Sequence, residues 1–279
     1  MPTKRQKRSE KRLKNIKKQR QKYPLLVKKI LENSDIILEV LDARFIKNTR
    51  NLELEKEIEK QHKKIIYVLN KSDLIDQKKT KTQHDFSKLF PYAFISCRKR
   101  KGVKNLRNLI KRISKTIEKT DKISVGVIGY PNTGKSSMIN LLIGKKSAKT
   151  GAEAGFTKGV QKLKLTPEIM LLDSPGVIPE ADYSNINKSA IAKHTIVGGR
   201  SHSQVKNPEM VIAKLMNEFK GVLEKHYKIQ AKEDSEILIK KLGEKKGFLK
   251  KEGQVNEDKT ARFILKEWQE GKIKVEKNL

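Results

Sequence analysis

Residues 129–136 have the sequence GYPNTGKS, in which Gly129, Gly134, Lys135 and Ser136 hold the spacing of a phosphate-binding loop. The apolar run 123–128 before this stretch predicts a strand, and residues 137–143 after it predict a helix. A chain that enters such a loop from a strand and leaves it as a helix directs the first N–H groups of the helix at phosphate oxygens. The stretch therefore predicts an α/β fold that binds a nucleotide at this turn.

A second signal is the charge of the chain. Its 279 residues contain 64 Lys and Arg against 32 Asp and Glu, a formal net charge of +32. A surplus of this size favours a polyanionic partner, above all nucleic acid, bound in a salt-sensitive manner. A lysine-rich proteome with basic solvated faces is the alternative, but it does not account for the clustering of the charge along the chain.

Residues 1–22 hold eleven Lys or Arg and the single acid Glu10. This composition predicts a basic disordered arm that binds RNA or serves as a localisation signal.

The composition also excludes several classes of protein. Cys97 is the only cysteine, so neither an intrachain disulfide nor a cysteine-cluster metal site can form, and a reducing compartment is expected. No apolar stretch approaches the length of a membrane span, and the first residues lack a signal-peptide core. We expect no membrane partner and a cytoplasmic location, or a nucleolar one if the source is eukaryotic.

A tetrapeptide with guanine-binding chemistry follows the predicted strand 64–69. Asn70-Lys71-Ser72-Asp73 matches the Asn-Lys-x-Asp specificity signature of GTPases, although four such residues also occur in ordinary turns. A carboxylate here accepts hydrogen bonds from the ring N–H and the exocyclic amine of guanine, which gives discrimination against adenine on the order of 10⁴. The next predicted strand, 92–95, ends in Ser96-Cys97-Arg98. We expect the backbone N–H of Cys97 to donate to guanine O6, with the thiol itself incidental.

Two further motifs follow the phosphate-binding loop. The strand predicted at 169–172 runs into Asp173-Ser174-Pro175-Gly176, an Asp-x-x-Gly motif whose carboxylate lies near Mg²⁺, usually through water, and whose glycine N–H lies near the γ-phosphate. Thr157, on a glycine-flanked loop, is either a switch residue that ligates Mg²⁺ when triphosphate is bound or a surface threonine. Val177 occupies the position of the water-orienting glutamine of Ras-type enzymes. Slow intrinsic turnover is expected, and no catalytic residue is assigned.

The C-terminal part differs in pattern from the rest. Apolar stripes at 211–219 and 259–268 have helical spacing. Lysines between residues 240 and 251 add a basic surface. The predicted organisation is a basic disordered arm at 1–22, a nucleotide-binding domain at 23–182 and a helical RNA-binding region at 183–279.

The motifs stand in an unusual order, because the specificity tetrapeptide and Ser-Cys-Arg precede the phosphate-binding loop. This order resembles the circularly permuted ribosome-assembly GTPases of the YlqF/RbgA type. Asp42-Ala43-Arg44 and the tail motifs 243–247 and 258–260 extend the resemblance over roughly residues 25–275. The fold it implies is a P-loop GTPase with a Rossmann-like, mostly parallel sheet in permuted order, followed by a small helical domain.

The resemblance implies a monomeric GTPase that docks on a large ribosomal subunit precursor and its rRNA, with hydrolysis stimulated by the particle. The implied cofactors are GTP or GDP, Mg²⁺ held by Ser136 and Thr157 with Asp173 acting through water, and K⁺ held by Asn132. The implied nucleotide-binding residues are Asn70, Lys71, Asp73, Ser96, Cys97, Asn132, Thr133, Gly134, Lys135, Ser136, Ser137, Thr157, Asp173 and Gly176.

The chain departs from the family in one respect. Bacterial members use a histidine in an N-terminal Phe-Pro-Gly-His-Met segment, which is missing here, and no His precedes His62. His194 and His202 follow the Asp-x-x-Gly motif but are not assigned as a base. Two other functions remain open at this point: an RNA-binding protein with a vestigial, structural nucleotide site, and a tRNA-modifying or translation GTPase.

Overall fold

The computed structural model describes residues 25–83, 85–119, 121–144, 161–173, 192, 195–199 and 201–275. The predicted arm at 1–22 lies outside the described residues, as do Thr157, Gly176, Val177 and His194. The predicted domain boundary at 182/183 also lies outside them. Within the described ranges, no helix is long and apolar enough to cross a membrane.

A six-stranded sheet forms the centre of the nucleotide-binding part, with the strand order β3-β2-β1-β4-β6-β5. All neighbouring strands are parallel except β5, which runs antiparallel to β6. The order changes direction between β1 and β4, which is the position where open α/β sheets bind ligands. The predicted α/β class and mostly parallel sheet are confirmed. The strands are β1 (Ile36–Asp42), β2 (Lys64–Asn70), β3 (Tyr92–Phe94), β4 (Ile123–Gly129), β5 (Gln161–Lys164) and β6 (Ile169–Asp173).

Helices cover both faces of this sheet. Strand β1 is buried along its whole length, as expected of a central parallel strand. Its residues Ile36, Leu38 and Val40 pack in one cluster with α5 and α6, whereas Ile37 packs in another with α1 and α3. The helices of this part are α1 (25–32), α2 (Ile46–Thr49), α3 (Leu52–Lys60), α4 (Gln77–Gln83), α5 (Val103–Ser114) and α6 (Lys135–Ile143).

The predicted C-terminal helices are present and have their own core. It contains Leu215, Ile264 and Trp268, none of which is exposed to solvent. Phe45 and Tyr130, which belong to the nucleotide-binding part, are members of the same cluster. The C-terminal helices are therefore packed against the elements that carry the phosphate-binding loop. These helices are α7 (Pro208–Glu218), α8 (Val222–Tyr227), α9 (Ser235–Lys245) and α10 (Glu257–Gln269).

Helix α5 is shorter than its sequence pattern. The amphipathic spacing predicts a helix over residues 104–118, but α5 ends at Ser114. At this end, the side chains of Ser114 and Thr116 donate to the carbonyls of Lys111 and Ile113, and the backbone makes tighter turns. Hydroxyl groups that bond to nearby backbone offer the chain an alternative to the helical ladder, which a pattern of apolar residues does not reveal.

Candidate nucleotide-binding site

The phosphate-binding loop connects the end of β4 to the start of α6. Gly129 has a φ of 145° and Gly134 a φ of 96°, backbone conformations that residues other than glycine rarely adopt. A Cβ on Gly129 would lie 2.4 Å from the carbonyl oxygen of Val40 in β1. Inside the loop, the hydroxyl of Thr133 donates to the carbonyl of Tyr130 at 2.9 Å. The loop is thus fixed by its glycines and its own hydrogen bonds, with the N-terminus of α6 directly behind it.

Lys135, the first residue of α6, is held inside the loop. Its Nζ donates to the carbonyls of Gly129 at 3.1 Å and Tyr130 at 2.9 Å. Burial lowers the pKa of Lys135 to about 8, although the charge of Asp173 acts in the opposite direction. Its protonated side chain therefore supplies a positive charge next to the helix N-terminus, where a bound phosphate group is stabilised by one.

Ser136 and Asp173 come together at the ends of α6 and β6. The hydroxyl of Ser136 donates to Oδ2 of Asp173 at 3.2 Å, and Asp173 is completely buried. Hydroxyl and carboxylate oxygens are hard ligands of the kind that Mg²⁺ prefers. These two residues fit the predicted magnesium site, in which Ser136 would ligate the ion and Asp173 would hold a bound water.

Asn132 stands in the left-handed region with a φ of 59°. Its Nδ2 donates to the carbonyl of Gly198 at 2.8 Å. This bond engages the amide nitrogen and not Oδ1, the atom with which an asparagine coordinates a cation. The geometry is compatible with the predicted K⁺ site and shows that segment 195–199 borders the loop.

The guanine-specificity half of the site lies at the ends of β2 and β3. Asp73 Oδ1 accepts a hydrogen bond from the hydroxyl of Ser96 at 2.6 Å. Asn70 joins this half to the other, since its Nδ2 donates to the carbonyl of Thr133 at 2.7 Å and its Oδ1 accepts from the backbone N–H of Cys97 at 3.2 Å. Burial raises the pKa of the Cys97 thiol to about 12, so the thiol is not a thiolate nucleophile. The structure thus brings the predicted base-binding and phosphate-binding residues to one place.

Lys71 is anchored below the specificity half. Its Nζ forms an ion pair with Asp42 at 2.9 Å, and Arg44 pairs with the same carboxylate at 2.8 Å. Burial alone would raise the pKa of Asp42, but the charges of Arg44 and Lys71 and their hydrogen bonds hold it well below its usual range. Burial lowers the pKa of Lys71, and Asp42 opposes that effect. The buried ion cluster fixes the backbone from which Asp73 projects.

The end of helix α10 forms a wall of the same pocket. Arg44 donates to the carbonyl of Trp268 at 3.1 Å, and Arg98 donates to the carbonyl of Gly271 at 2.9 Å. The C-terminal carbonyls of a helix attract cations, so these contacts suit the helix dipole as well as hydrogen bonding. A Cβ on Gly271 would lie 2.9 Å from Leu74, which shows how closely the two parts approach.

The pocket enclosed by these elements has a volume of about 380 Å³, which lies within the range of ~300–1,000 Å³ typical of ligand sites.

The sequence did not indicate that the region around α10 contributes to this pocket. Those residues follow the specificity motif by more than a hundred positions, and an apolar stripe shows which side of a helix is buried but not against what. In this region only His202 has a signal in the sequence, as a histidine that follows the Asp-x-x-Gly motif, and burial lowers its pKa. The contributors from this region are His202, Lys266, Gln269, Glu270 and Gly271.

Part of the chain matches a known protein family. Residues 124–243 match the family described as "50S ribosome-binding GTPase". Residues 124–243 therefore resemble a GTPase domain of this family. The specificity tetrapeptide at 70–73 precedes the matched region, as the permuted order of motifs requires.

Known relatives and a solved structure are consistent with this GTPase domain. An uncharacterized GTP-binding protein of Methanocaldococcus jannaschii is 39% identical over 217 residues, which are 76% of this chain and 55% of that protein. Nucleolar GTP-binding protein 2 of Pneumocystis carinii is 38% identical over 213 residues, 74% of this chain and 43% of that protein. The chain therefore spans about half the length of these relatives. The crystal structure of GNP-bound YlqF from T. maritima, 24% identical, has the same fold with a TM-score of 0.62 over 88% of this chain and 92% of that one.

Proposed function

We propose that the protein binds and hydrolyses GTP and acts as a switch in the assembly of the large ribosomal subunit, where it binds rRNA. The observation that carries the nucleotide assignment is the bond of 2.7 Å between Asn70 Nδ2 and the Thr133 carbonyl. This bond joins the segment that carries the base-reading carboxylate of Asp73 to the phosphate-binding loop that leads into Lys135. A guanine nucleotide is the ligand that meets both groups.

Each residue has a proposed role. Asp73 accepts two hydrogen bonds from guanine, Ser96 orients that carboxylate, and the N–H of Cys97 lies beside the base. Lys135 and the loop backbone bind the β- and γ-phosphates. Magnesium is held by Ser136, with Asp173 acting through water. Thr157, which lies outside the described residues, is proposed as a further ligand of the same metal, and Gly176, also outside them, as a contact of the γ-phosphate.

Potassium is proposed as an additional cofactor. Asn132 lies next to the phosphate site, and its Oδ1 is not the atom that bonds to Gly198. A K⁺ ion held there would place positive charge beside the phosphates, where other GTPases use an arginine. Since Val177 follows the Asp-x-x-Gly motif, the intrinsic rate should be slow and should depend on a partner.

The proposed partner is a precursor of the large ribosomal subunit. Relatives carry names such as nucleolar GTP-binding protein 2, and the net charge of +32 favours a polyanionic partner. A monomer is expected, in the cytoplasm or, in a eukaryote, the nucleolus.

Substitution of Asp73 tests the guanine assignment. The Asp73→Ala variant should bind GDP at least a hundredfold more weakly, because the ring N–H and the amine of guanine lose their acceptor. In Asp73→Asn the introduced amide donates a hydrogen bond, which suits the carbonyl that xanthine has in place of the amine. This variant should prefer xanthosine diphosphate over GDP. Asp121→Ala, at an exposed acid, is the matched control, and equal GDP affinity in all variants would refute the assignment.

The GTPase rate with and without purified large subunits, in KCl and in NaCl, tests the switch. We expect the particle to accelerate turnover, KCl to exceed NaCl, and the cation difference to vanish in Asn132→Ala. A vestigial nucleotide site would instead give no turnover and equal affinity for particles with GDP and with a non-hydrolysable GTP analogue. Co-sedimentation with tRNA or whole ribosomes instead of free large subunits would favour the third function.

A further inference from the structure

A second concave site lies at the edge of the sheet, away from the phosphate-binding loop. It is a groove of about 660 Å³ between α4, β3 and α5. Among the residues that the structure describes, its lining contains the cations Lys81, Lys101 and Arg112 and no Asp or Glu. The proposed GTPase mechanism makes no use of these residues.

Positive charge is concentrated on the two helices that border the groove. The sequence of α4, QKKTKTQ, holds three Lys, and that of α5, VKNLRNLIKRIS, holds four Lys or Arg, with no acid in either. Of these cations, Lys81 and Arg112 line the groove itself. Helix α3 of the same domain, LELEKEIEK, carries four Glu and two Lys. The basicity of the groove is therefore a local property and not that of every surface of a basic protein. A chain of phosphates is the complement of such a groove.

Aromatic rings form part of the groove. Tyr92 and Phe94 alternate along β3 and so project to the same face, with their ring centroids 5.7 Å apart. The ammonium group of Lys81 lies 5.9 Å from the Tyr92 ring and 5.8 Å from the Phe94 ring. Proteins that bind single-stranded nucleic acids combine aromatic rings with cations in a positive groove, because bases stack on the rings while phosphates contact the cations.

Polar side chains complete the lining. Gln77, Asn105 and Asn108 are exposed and form no side-chain hydrogen bond to another of the residues that the structure describes. Amide groups offer both donors and acceptors, so they can bond to the edges of unpaired bases. Duplex RNA hides those edges.

Strand addition by a peptide fits this edge less well. Strand β3 is only three residues long, and the carbonyl of Pro91 and the N–H of Ile95 bond to β2. Only Tyr92 and Phe94 then direct backbone groups away from the sheet. Gly102, with a φ of 78°, lies so close that a Cβ would be 2.1 Å from the carbonyl oxygen of Phe94. A partner strand needs a longer row of accessible backbone groups.

We propose that the groove between α4, β3 and α5 binds single-stranded RNA, with bases against Tyr92 and Phe94 and phosphates on Lys81, Lys101 and Arg112. The inference rests on the proposed function in that it specifies where the protein contacts RNA, but it does not depend on GTP hydrolysis. It assigns an RNA contact to the GTPase domain itself, separate from the basic arm and the C-terminal region.

The test compares two double variants of the full chain that lose the same charge. Lys101→Ala with Arg112→Ala removes groove cations, whereas Lys56→Ala with Lys60→Ala removes exposed cations of α3. Binding of a short fluorescent oligouridylate is measured over a series of KCl concentrations. The groove variant should bind about tenfold more weakly and flatten the slope of log affinity against log salt by about 1.4, since single strands contribute about 0.7 per phosphate contact. The α3 variant should keep the wild-type slope.

Crosslinking locates the contact, and GDP binding separates this proposal from the nucleotide site. An oligonucleotide with 4-thiouridine should crosslink to the peptide that contains Tyr92 and Phe94, and annealing it to its complement should abolish the crosslink. Equal slopes in the two double variants, absence of that crosslink or its persistence in the duplex would overturn the proposal. The proposal would also be overturned if the groove variant lost binding of an acidic peptide but bound the oligouridylate as the wild type does. Because GDP affinity should be unchanged in both variants, a failed RNA result with normal GDP binding refutes only the groove.

Discussion

The side chain of Asn70 donates a hydrogen bond to the backbone carbonyl of Thr133, with 2.7 Å between nitrogen and oxygen. The two residues belong to different motifs and are separated by 63 positions in the chain. Asn70 also accepts from the N–H of Cys97, so one buried amide joins three segments of the pocket. The specificity tetrapeptide and the phosphate-binding loop thus touch in space although they lie far apart in the sequence.

Asn70→Ala should therefore weaken both stability and nucleotide binding. It leaves the carbonyl of Thr133 and the N–H of Cys97 without this partner, and each unsatisfied buried group costs about 1–3 kcal/mol. Urea denaturation and GDP titration provide the two measurements. Asn33→Ala removes an amide that also donates to a backbone carbonyl, at an exposed position, and should change the free energy of unfolding by less than about 0.5 kcal/mol. Similar losses in the two variants would contradict the role given to Asn70.

Gly134→Ala should disrupt the junction of loop and helix. The added Cβ would lie 2.2 Å from Asn70 Nδ2 and would occupy a left-handed φ of 96°. Gly144→Ala is the matched control, because Gly144 has a φ of 77° but no atom of the described residues within 4 Å of a Cβ. The control should cost about 1–2 kcal/mol, from backbone strain alone. Thermal denaturation and GDP binding should show a larger loss for Gly134→Ala, and equal effects would mean that the contact with Asn70 is unimportant.

The affinity for GDP should fall above about pH 8 as Lys135 loses its proton. Its pKa in the nucleotide-free protein is about 8, and bound phosphate groups favour the charged form. Above that pKa, binding must take up a proton, so affinity should fall by up to about tenfold per pH unit. Lys135→Arg keeps its charge at these pH values and should bind with little dependence on pH. The same slope in the arginine variant would assign the effect to another group.

The free energy of unfolding of the nucleotide-free protein should change with pH in the opposite direction to the affinity for GDP. Between about pH 8 and pH 10.5, the ordinary pKa of a lysine side chain, the unfolded chain binds the proton of Lys135 and the folded chain does not. The contribution of Lys135 to the free energy of unfolding therefore rises with pH over this window. Denaturation of the wild type and of Lys135→Met across the window provides the comparison, and a larger rise in the methionine variant would rule out this sign.

Asp42→Asn should be one of the most destabilising substitutions in the chain. It removes the carboxylate that pairs with Arg44 and Lys71 in a region where Asp42 is fully buried. Loss of one partner of a buried ion cluster costs about 3–5 kcal/mol. The low pKa of Asp42 means that its contribution is complete above its unfolded value, about 3.9, and is lost as the pH falls below it.

Asp35→Asn serves as the control for this substitution. Asp35 pairs with Lys119 at 2.9 Å, but both side chains are partly exposed, and such pairs contribute about 0–1 kcal/mol. Urea denaturation at neutral and at acidic pH should separate the two. A loss for Asp42→Asn no greater than that of the control would show that the buried cluster does not hold the specificity loop.

Much of the fold and the pocket could be predicted because the relevant signals are local. The glycines of the loop at 129–136 and the apolar runs before them depend only on neighbours in sequence. The contact of Arg98 with Gly271 and that of Arg44 with Trp268 could not be predicted. In each contact an arginine side chain binds a backbone carbonyl. The sequence does not show whether an arginine points into solvent, and every residue has a carbonyl, so neither partner could be identified.

Trp268 gives the protein an internal optical reporter. It is the only tryptophan of the chain and is fully buried. Its indole N–H donates to the carbonyl of Ile196, and the guanidinium of Arg44 lies 5.2 Å from its ring. Tryptophan emission therefore comes from a single point between the base pocket and the C-terminal helices. We expect nucleotide exchange on the unlabelled, unmodified protein to change the intensity and wavelength of this emission.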